Sequence, residues 1–561
     1  MAPEWFKSHP SLNNILNRII PKAFQRPEND HPARIAVRTY ALSLSLSLGP
    51  VLIPLLSEGR LNKKRRNNLA SVLKKELSVS GFAFAMTAAA GGGAALEFYW
   101  KRFTKRLGQA ARFKADAHRL AVLSDVLLRG TEVSPLYETF ICNAITSLLA
   151  ILLMHSRRRS SLTDRADIPL TVPIDELGDR KSSPTLDLTL LLLVRALDAF
   201  AQRFFHQHAE KVVDNKQAEM SGESSVDRNR LLRKKVAVLT DKLDAFVFWA
   251  ASARIMWCFF YRPERLPRSY VRWIGALANV DERLLEALRR LRKGAWGYGK
   301  PESHLLLSTM AADLGYPHSW GDSLHLPEYG GKVSEASWKA LGVHGRTGVG
   351  GLPCEIVHGG VGSSVISGGV GGSCAANSLA RGGLGFLEAL ALYTPVHFLP
   401  VLLTRPKELL SSVVLKKLIL SLVRSSLFLS VFISSVWSAV CFTRSWGIAR
   451  LFPRLSHNFI DGPFGCIMAG CLVCGGSIWI EQGRRRGEIA LYVLPRALRT
   501  LLSESWLRSG TKSLMAMERL VSLAFSLSLA SIVTASRHYP ETLRGLSRWT
   551  AMFILKGMPR G

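Results

Sequence analysis

Cys354, His358 and Cys374 are residues of the types and spacing that a soft metal ion takes. Thiolate and imidazole ligands suit zinc, whose structural sites are tetrahedral and need four of them. No fourth ligand is obvious from the order of residues, with His344 and His397 the nearest in sequence. The set therefore reads as a packed or membrane-adjacent Cys/His element, with no metal expected. Cys466, Cys471 and Cys474 have the Cys-x4-Cys-x2-Cys spacing of plant-type ferredoxins. Ferredoxin ligands sit on a loop curled round the cluster, whereas these lie in an apolar stretch. There Cys466, Gly470 and Cys474 form a ladder at intervals of four, which lets helix backbones approach closely in lipid.

Two further patterns lack their complement. His358-Gly-Gly360 has the form of an esterase oxyanion loop, but the chain offers no Gly-x-Ser-x-Gly nucleophile turn. Gly91-Gly-Gly93 lacks the Lys and Ser/Thr of a phosphate-binding loop and reads as a helix-packing or helix-terminating element. No catalytic residue and no cofactor is expected. Arg195 and Arg496 each interrupt an apolar segment, where a cation costs several kcal/mol unless it is paired, hydrated or near an interface. Either they snorkel, or they lie inside a helix bundle against lipid phosphates or a carboxylate such as Glu488.

The elements that would position these residues are membrane helices. A helix needs roughly 20 mostly apolar residues to cross the hydrocarbon core, with about 17 as the lower limit. Segments 40–57, 77–96, 139–156, 425–443, 463–480 and 520–536 contain no Asp, Glu, Lys or Arg, and 386–404 contains only Glu388. Segments 186–205, 246–261 and 489–502 carry charge within an apolar frame. The expected fold is all-α, a polytopic membrane bundle of about 7 to 10 helices.

Lys and Arg outnumber Asp and Glu by 73 to 42, a formal +31. In a soluble protein that excess would suggest nucleic acid. Here the basic runs flank apolar segments, as at Lys63 to Arg66, Lys101 and Arg102, Arg157 to Arg159 and Arg484 to Arg486. That arrangement fits anionic lipid headgroups, and no nucleic-acid partner is expected. Most of the eight Cys fall in apolar segments, so no secreted disulfide framework is expected. Nor is a secretory signal or a peroxisomal import tripeptide.

The order of features recurs along the chain. An apolar segment with two prolines, a Lys-Lys pair and a second apolar segment appear at 40–96 and at 390–443. A small-residue segment ending in Arg-Arg-Arg follows at 142–159 and at 466–486, then a helix holding Arg-Ala-Leu at Arg195 and at Arg496. Each half closes on a Pro and an Arg-Trp, Arg272-Trp273 and Arg548-Trp549. Self-similarity of this kind indicates an internal duplication. The expected organisation is a polar segment 1–37, a first membrane repeat 38–275 with a charged loop near 206–240, a Gly/Ser/His-rich flexible connector 276–353 and a second repeat 354–555.

Cys354-Glu-Ile-Val-His358, Cys374-Ala-Ala-Asn-Ser, Phe386-Leu-Glu-Ala-Leu, Tyr393-Thr-Pro-Val-His-Phe-Leu-Pro400 and Gly483-Arg-Arg-Arg-Gly-Glu-Ile-Ala-Leu-Tyr492 resemble the transmembrane protein 135 family. The resemblance covers about 200 residues, from Cys354 to Trp549. In this chain 359–373 separates the first Cys and His from the second Cys, and the element opens the second half. Both are departures from the family's pattern. That family looks related to peroxisomal membrane protein 4 and, distantly, to mitochondrial inner-membrane import translocases. The resemblance implies a non-enzymatic integral protein of the peroxisomal membrane first and the mitochondrial membrane next, acting in lipid handling or organelle dynamics. Lipids, further copies of the chain and other organelle membrane proteins are the expected partners. The alternative, suggested by transporters built from repeats, is a channel, transporter or translocase-type protein moving a solute or polypeptide.

Overall fold

Every regular element in the computed structural model is a helix. No strand occurs among the described residues, which are 31–57, 77–79, 81–113, 134–160, 185–219, 225–359, 361, 373–404, 406, 409, 411–502 and 511–556. Most of the polar segment 1–37 and the basic run Lys63 to Arg66 lie outside them, as does most of the Gly/Ser-rich stretch 359–373.

In chain order the helices are α1 (Pro32–Ser57), α2 (Phe82–Phe113), α3 (Pro135–Ser160), α4 (Leu186–Glu219), α5 (Ser225–Tyr261), α6 (Arg268–Ala278), α7 (Glu282–Lys293), α8 (Ser308–Asp313) and α9 (Lys332–Leu341). They continue with α10 (Cys354–His358), α11 (Cys374–Thr404), α12 (Ser412–Cys441), α13 (Ile448–Leu451), α14 (His457–Ile460), α15 (Cys466–Cys474), α16 (Gly483–Leu501), α17 (Thr511–His538) and α18 (Gly545–Lys556). Among the described residues, four stretches are long and apolar enough to cross a membrane: Pro135–His155, Arg230–Tyr261, Ser412–Leu451 and Ala516–His538. Cys466–Ile480 is apolar but shorter.

The chain divides into two compact units, residues 1–240 with 502–561, and residues 241–501. In the first, α1, α2 and α3 pack in series, and α17 packs against both α3 and α4. Gly93 makes the approach of α2 to α3 possible, since a methyl group there would stand 2.2 Å from Asn143 Oδ1. Buried Glu97 on α2 pairs with Lys101 at 2.7 Å and with Arg537 of α17. Asp198 of α4 pairs with Arg544, just before α18.

These helices bury polar groups and expose apolar ones. On α3, Tyr137, Ile141, Ile145, Leu149 and Leu152 form an exposed stripe at steps of three and four. Its inward face carries Thr139, Asn143, Thr146 and Ser147. Thr146 Oγ1 donates to the Ala89 carbonyl at 2.9 Å, and on α17 buried Ser522, Ser526 and Ser528 stand opposite exposed Leu520, Leu523 and Leu527. Interhelical hydrogen bonds from small residues and an apolar outer face are what lipid selects, because the hydrophobic effect cannot drive helix against helix there.

In the second unit α11 packs on α12, and α12 on α15. Residues of α5 from Asp241 onward join them: Phe248 packs edge-on against Phe428 and Phe432, and Trp249 Nε1 donates to the Leu472 carbonyl at 2.7 Å. Gly470 sits against Val436, and Cys466, Cys471 and Cys474 are buried in the core on α15, so the ladder packs helices.

The stretch expected as a flexible connector folds instead. Trp296, Tyr298, Leu307, Met310, Trp320, Trp338, Leu352 and Ile356 form a core of their own. Trp320 Nε1 donates to the Leu341 carbonyl at 2.8 Å and Trp338 Nε1 to that of Val349 at 2.6 Å. Asp281 caps α7 by accepting from the Arg283 amide, and left-handed Gly294 ends it. The charged loop expected near 206–240 is likewise helical where described, because Ala209 and Val213, one turn apart, bury a stripe of α4.

Candidate functional site

Two groups of buried polar side chains adjoin one another in the second unit. The first forms where α12 gives way to a single π-helical turn, Phe442–Trp446. Such turns disturb the regular ladder and often mark functional positions. Here the turn carries Arg444, 4% exposed, whose Nε donates to Asp461 Oδ1 at 2.6 Å and whose Nη2 donates to Oδ2 at 3.2 Å. Tyr298 donates its hydroxyl to Asp461 Oδ2 at 2.6 Å and accepts from the Leu352 amide at 3.0 Å. His457 Nδ1 stands 3.5 Å from the same carboxylate. Burial opposes ionisation of Asp461, but Arg444 and His457 outweigh it and hold the carboxyl well below the usual carboxylate range. Desolvation pushes the Tyr298 hydroxyl far up and the His457 imidazole down. The result is a neutral donor and a neutral ring around a buried ion pair. Arg444 and Asp461 also form the polar wall of a cavity of about 60 Å³ lined mostly by apolar side chains, among them Phe260, Trp296, Leu352 and Trp437.

The second group contains the three residues singled out in sequence. Ligand atoms of Cys354, His358 and Cys374 lie within 4.8 Å of one another. The Cys354 and Cys374 sulfurs are 4.0 Å apart. Cys441, the last residue of α12, joins them: its Sγ is 3.5 Å from His358 Nε2, and its thiol acts on that of Cys374. The two nearby histidines do not take part. His397 accepts from Arg485 Nη1 at 2.6 Å and contacts the Tyr393 carbonyl, while His344 is exposed. His358 and Cys441 are buried, whereas Cys354 and Cys374 are half-buried. All eight cysteines are free thiols.

Three buried arginines surround this cluster. Arg346 donates from Nη1 to Cys354 Sγ at 3.0 Å, donates to the Gly350 carbonyl and lies over the Trp338 ring. Arg381 donates from Nη2 to the His358 carbonyl at 2.9 Å and lies 3.8 Å from the centre of the Trp437 ring. Arg444 acts on Cys354 from the adjoining group, and Ser445 beside it meets Cys354 Sγ at 3.1 Å. Among the described residues, Arg444 alone of the three has a carboxylate partner. The Cys354 thiol is nevertheless pushed up to about 12, first by its hydrogen bond with Cys374 and then by burial.

Arg195 lies half-buried on α4 of the first unit. Glu488 and Arg496 are half-buried on α16 of the second unit, eight residues and so roughly 12 Å apart along the helix axis. Neither residue belongs to the two groups above. The order of residues gave no notice of Cys441, 67 positions beyond Cys374, or of the pairing of Arg444 with Asp461. The available signal was that each ends or adjoins a charge-free segment, where a polar group needs a partner. No family model, no curated protein and no solved structure matches the chain.

Proposed function

We propose that this chain is a non-enzymatic, multi-pass organelle membrane protein of the transmembrane protein 135 type, acting in lipid handling or organelle dynamics, in the peroxisomal membrane first and the mitochondrial membrane next. The observation that carries the membrane part is the inversion on α3 and α17, whose apolar stripes face outward while Ser, Thr and Asn face their neighbours. All ten apolar segments of the sequence fall mainly on helices, which supports a count of 7 to 10 membrane helices. Motifs that carry the family resemblance also meet in space. His397 of the Tyr393 motif accepts from Arg485 of the triple arginine, and Arg485 donates in turn to Ser425, which donates to buried Glu481.

Internal duplication belongs to this reading and has support in each unit taken by itself. In the first unit α1, α2 and α3 pack in series and α17 closes on α3; in the second α11, α12 and α15 pack in series and α5 closes on α15. Both closing helices end in a tyrosine region followed by a 3-10 turn beginning at proline, Pro263–Arg265 and Pro540–Thr542. Buried Leu266 and Leu543 follow, and then helices carrying the exposed Trp273 and Trp549. On this reading the first repeat contributes residues 241–261 of α5 to the second unit and the second repeat contributes α17 to the first.

The test is to image a tagged full-length chain against peroxisomal and mitochondrial markers, extract the organelle pellet with alkaline carbonate, and profile organelle lipids in cells lacking the protein. Carbonate-resistant protein on either organelle with an altered lipid profile is expected. Release by carbonate would contradict the membrane reading. Solute flux in proteoliposomes with unchanged lipids would replace lipid handling by transport.

A further inference from the structure

We propose that Cys354, His358, Cys374 and Cys441 bind a single structural zinc ion. Tetrahedral zinc with sulfur at about 2.3 Å and nitrogen at about 2.0–2.1 Å places ligand sulfurs roughly 3.8 Å apart and a sulfur roughly 3.6 Å from a nitrogen. The structure has 4.0 Å between the Cys354 and Cys374 sulfurs and 3.5 Å between Cys441 Sγ and His358 Nε2. A disulfide would need the first distance to fall to about 2.05 Å. The four ligands come from α10, the start of α11 and the end of α12. Zinc would therefore tie the folded segment that precedes α11 to the long apolar hairpin behind it.

The surrounding charge fits the same ion. Three thiolates and one imidazole around a divalent cation leave one net negative charge. Arg346 and Arg381, each 6% exposed or less, are held by carbonyls, a thiol and aromatic faces, with no carboxylate partner among the described residues. Buried cations are costly without a counter-charge, and a zinc–thiolate centre supplies one. Arg346 already points Nη1 at a ligand sulfur, and Arg381 holds the backbone of the histidine ligand. Both would act as positioning residues around the metal. Binding releases three protons, one from each thiol, to solvent, with no redox change. Hard cations such as magnesium and calcium prefer oxygen ligands, and this site offers only sulfur and nitrogen.

The experiment is elemental analysis of the full-length protein purified in detergent without chelator, followed by replacement of the metal with cobalt(II) and recording of its visible spectrum. About one zinc per chain is expected, together with the intense bands of tetrahedral thiolate-bound cobalt. Cys354→Ser, Cys374→Ser, Cys441→Ser and His358→Ala should each lose most of the metal. Cys471→Ala, on the core-packing ladder, should keep it. Wild-type protein that holds no zinc and gives no cobalt spectrum would overturn the site, even if the variants fail to fold. So would loss of the metal on Cys471→Ala with retention on Cys441→Ser, or recovery of Cys354 and Cys374 joined as a disulfide after rapid thiol alkylation.

Discussion

α3 and the folded segment 263–358 solve opposite problems. α3 turns Ile141, Ile145 and Leu149 outward and buries Thr139, Asn143 and Ser147, whereas the segment buries Trp296, Tyr298, Trp320 and Trp338 and turns Glu302, Lys332 and Glu335 outward. The first arrangement is stable where the surroundings are as apolar as leucine, the second where burying an aromatic ring removes it from water. One chain therefore carries two solvents' signatures. Arg444 lies near the end of the membrane-length apolar stretch Ser412–Leu451 and pairs with Asp461 beyond it, where the second kind of packing meets that stretch within the second unit.

The largest effect should come from breaking that junction. Asp461→Asn leaves Arg444 buried without its counter-charge, and thermal unfolding of the purified protein should show a loss of about 3–5 kcal/mol. The sign with pH follows from the depressed carboxyl. Its contribution is complete above the ordinary carboxylate range near pH 4 and fades as pH falls below it, so wild type and Asn variant should converge in acid. A difference that grows toward acid would refute this assignment.

A paired substitution sharpens the contrast between the two solvents. Ile145→Lys on the α3 stripe should cost about 2.5–3.5 kcal/mol in a membrane-insertion assay. Val333→Lys, also exposed but on α9 of the folded segment, should change stability by no more than about 0.5 kcal/mol. Equal effects at the two positions would erase the distinction. A smaller loss is expected from Gly351→Ala. Gly351 has φ +77°, and a methyl group there would stand 2.4 Å from His457 Nδ1, so backbone strain alone should cost about 1–3 kcal/mol in unfolding measurements. The smallest loss among the changes to helix packing belongs to Thr146→Val, which removes one interhelical hydrogen bond to Ala89 and should cost about 0.6 kcal/mol, read as a modest drop in melting temperature.

The helices were legible because charge-free runs such as 139–156 and 425–443 have a single physical outlet, a helix in an apolar setting. The segment 263–358 was not, because its glycines are dense and composition suggests flexibility. Gly294, Gly331, Gly342 and Gly351 instead occupy left-handed turns that reverse short helices around four tryptophan and tyrosine anchors. The candidate site was half legible. Cys354, His358 and Cys374 stand out by type, but Cys441 looks like any small apolar residue of α12 until the π turn brings it beside His358. The return of α17 and α18 to the first unit also escapes linear reading, since Arg537 and Arg544 find Glu97 and Asp198 more than 300 positions away.

The most direct test is photolabelling of the intact protein in its native membrane with a reagent dissolved in the lipid, followed by peptide mapping. Label should concentrate on the peptides holding Ile141, Ile145 and Leu149 and on those holding Leu523 and Leu527, and spare those holding Val333 and Trp338. Equal labelling of both sets, or none on α3 and α17, would contradict the claim that these helices face hydrocarbon.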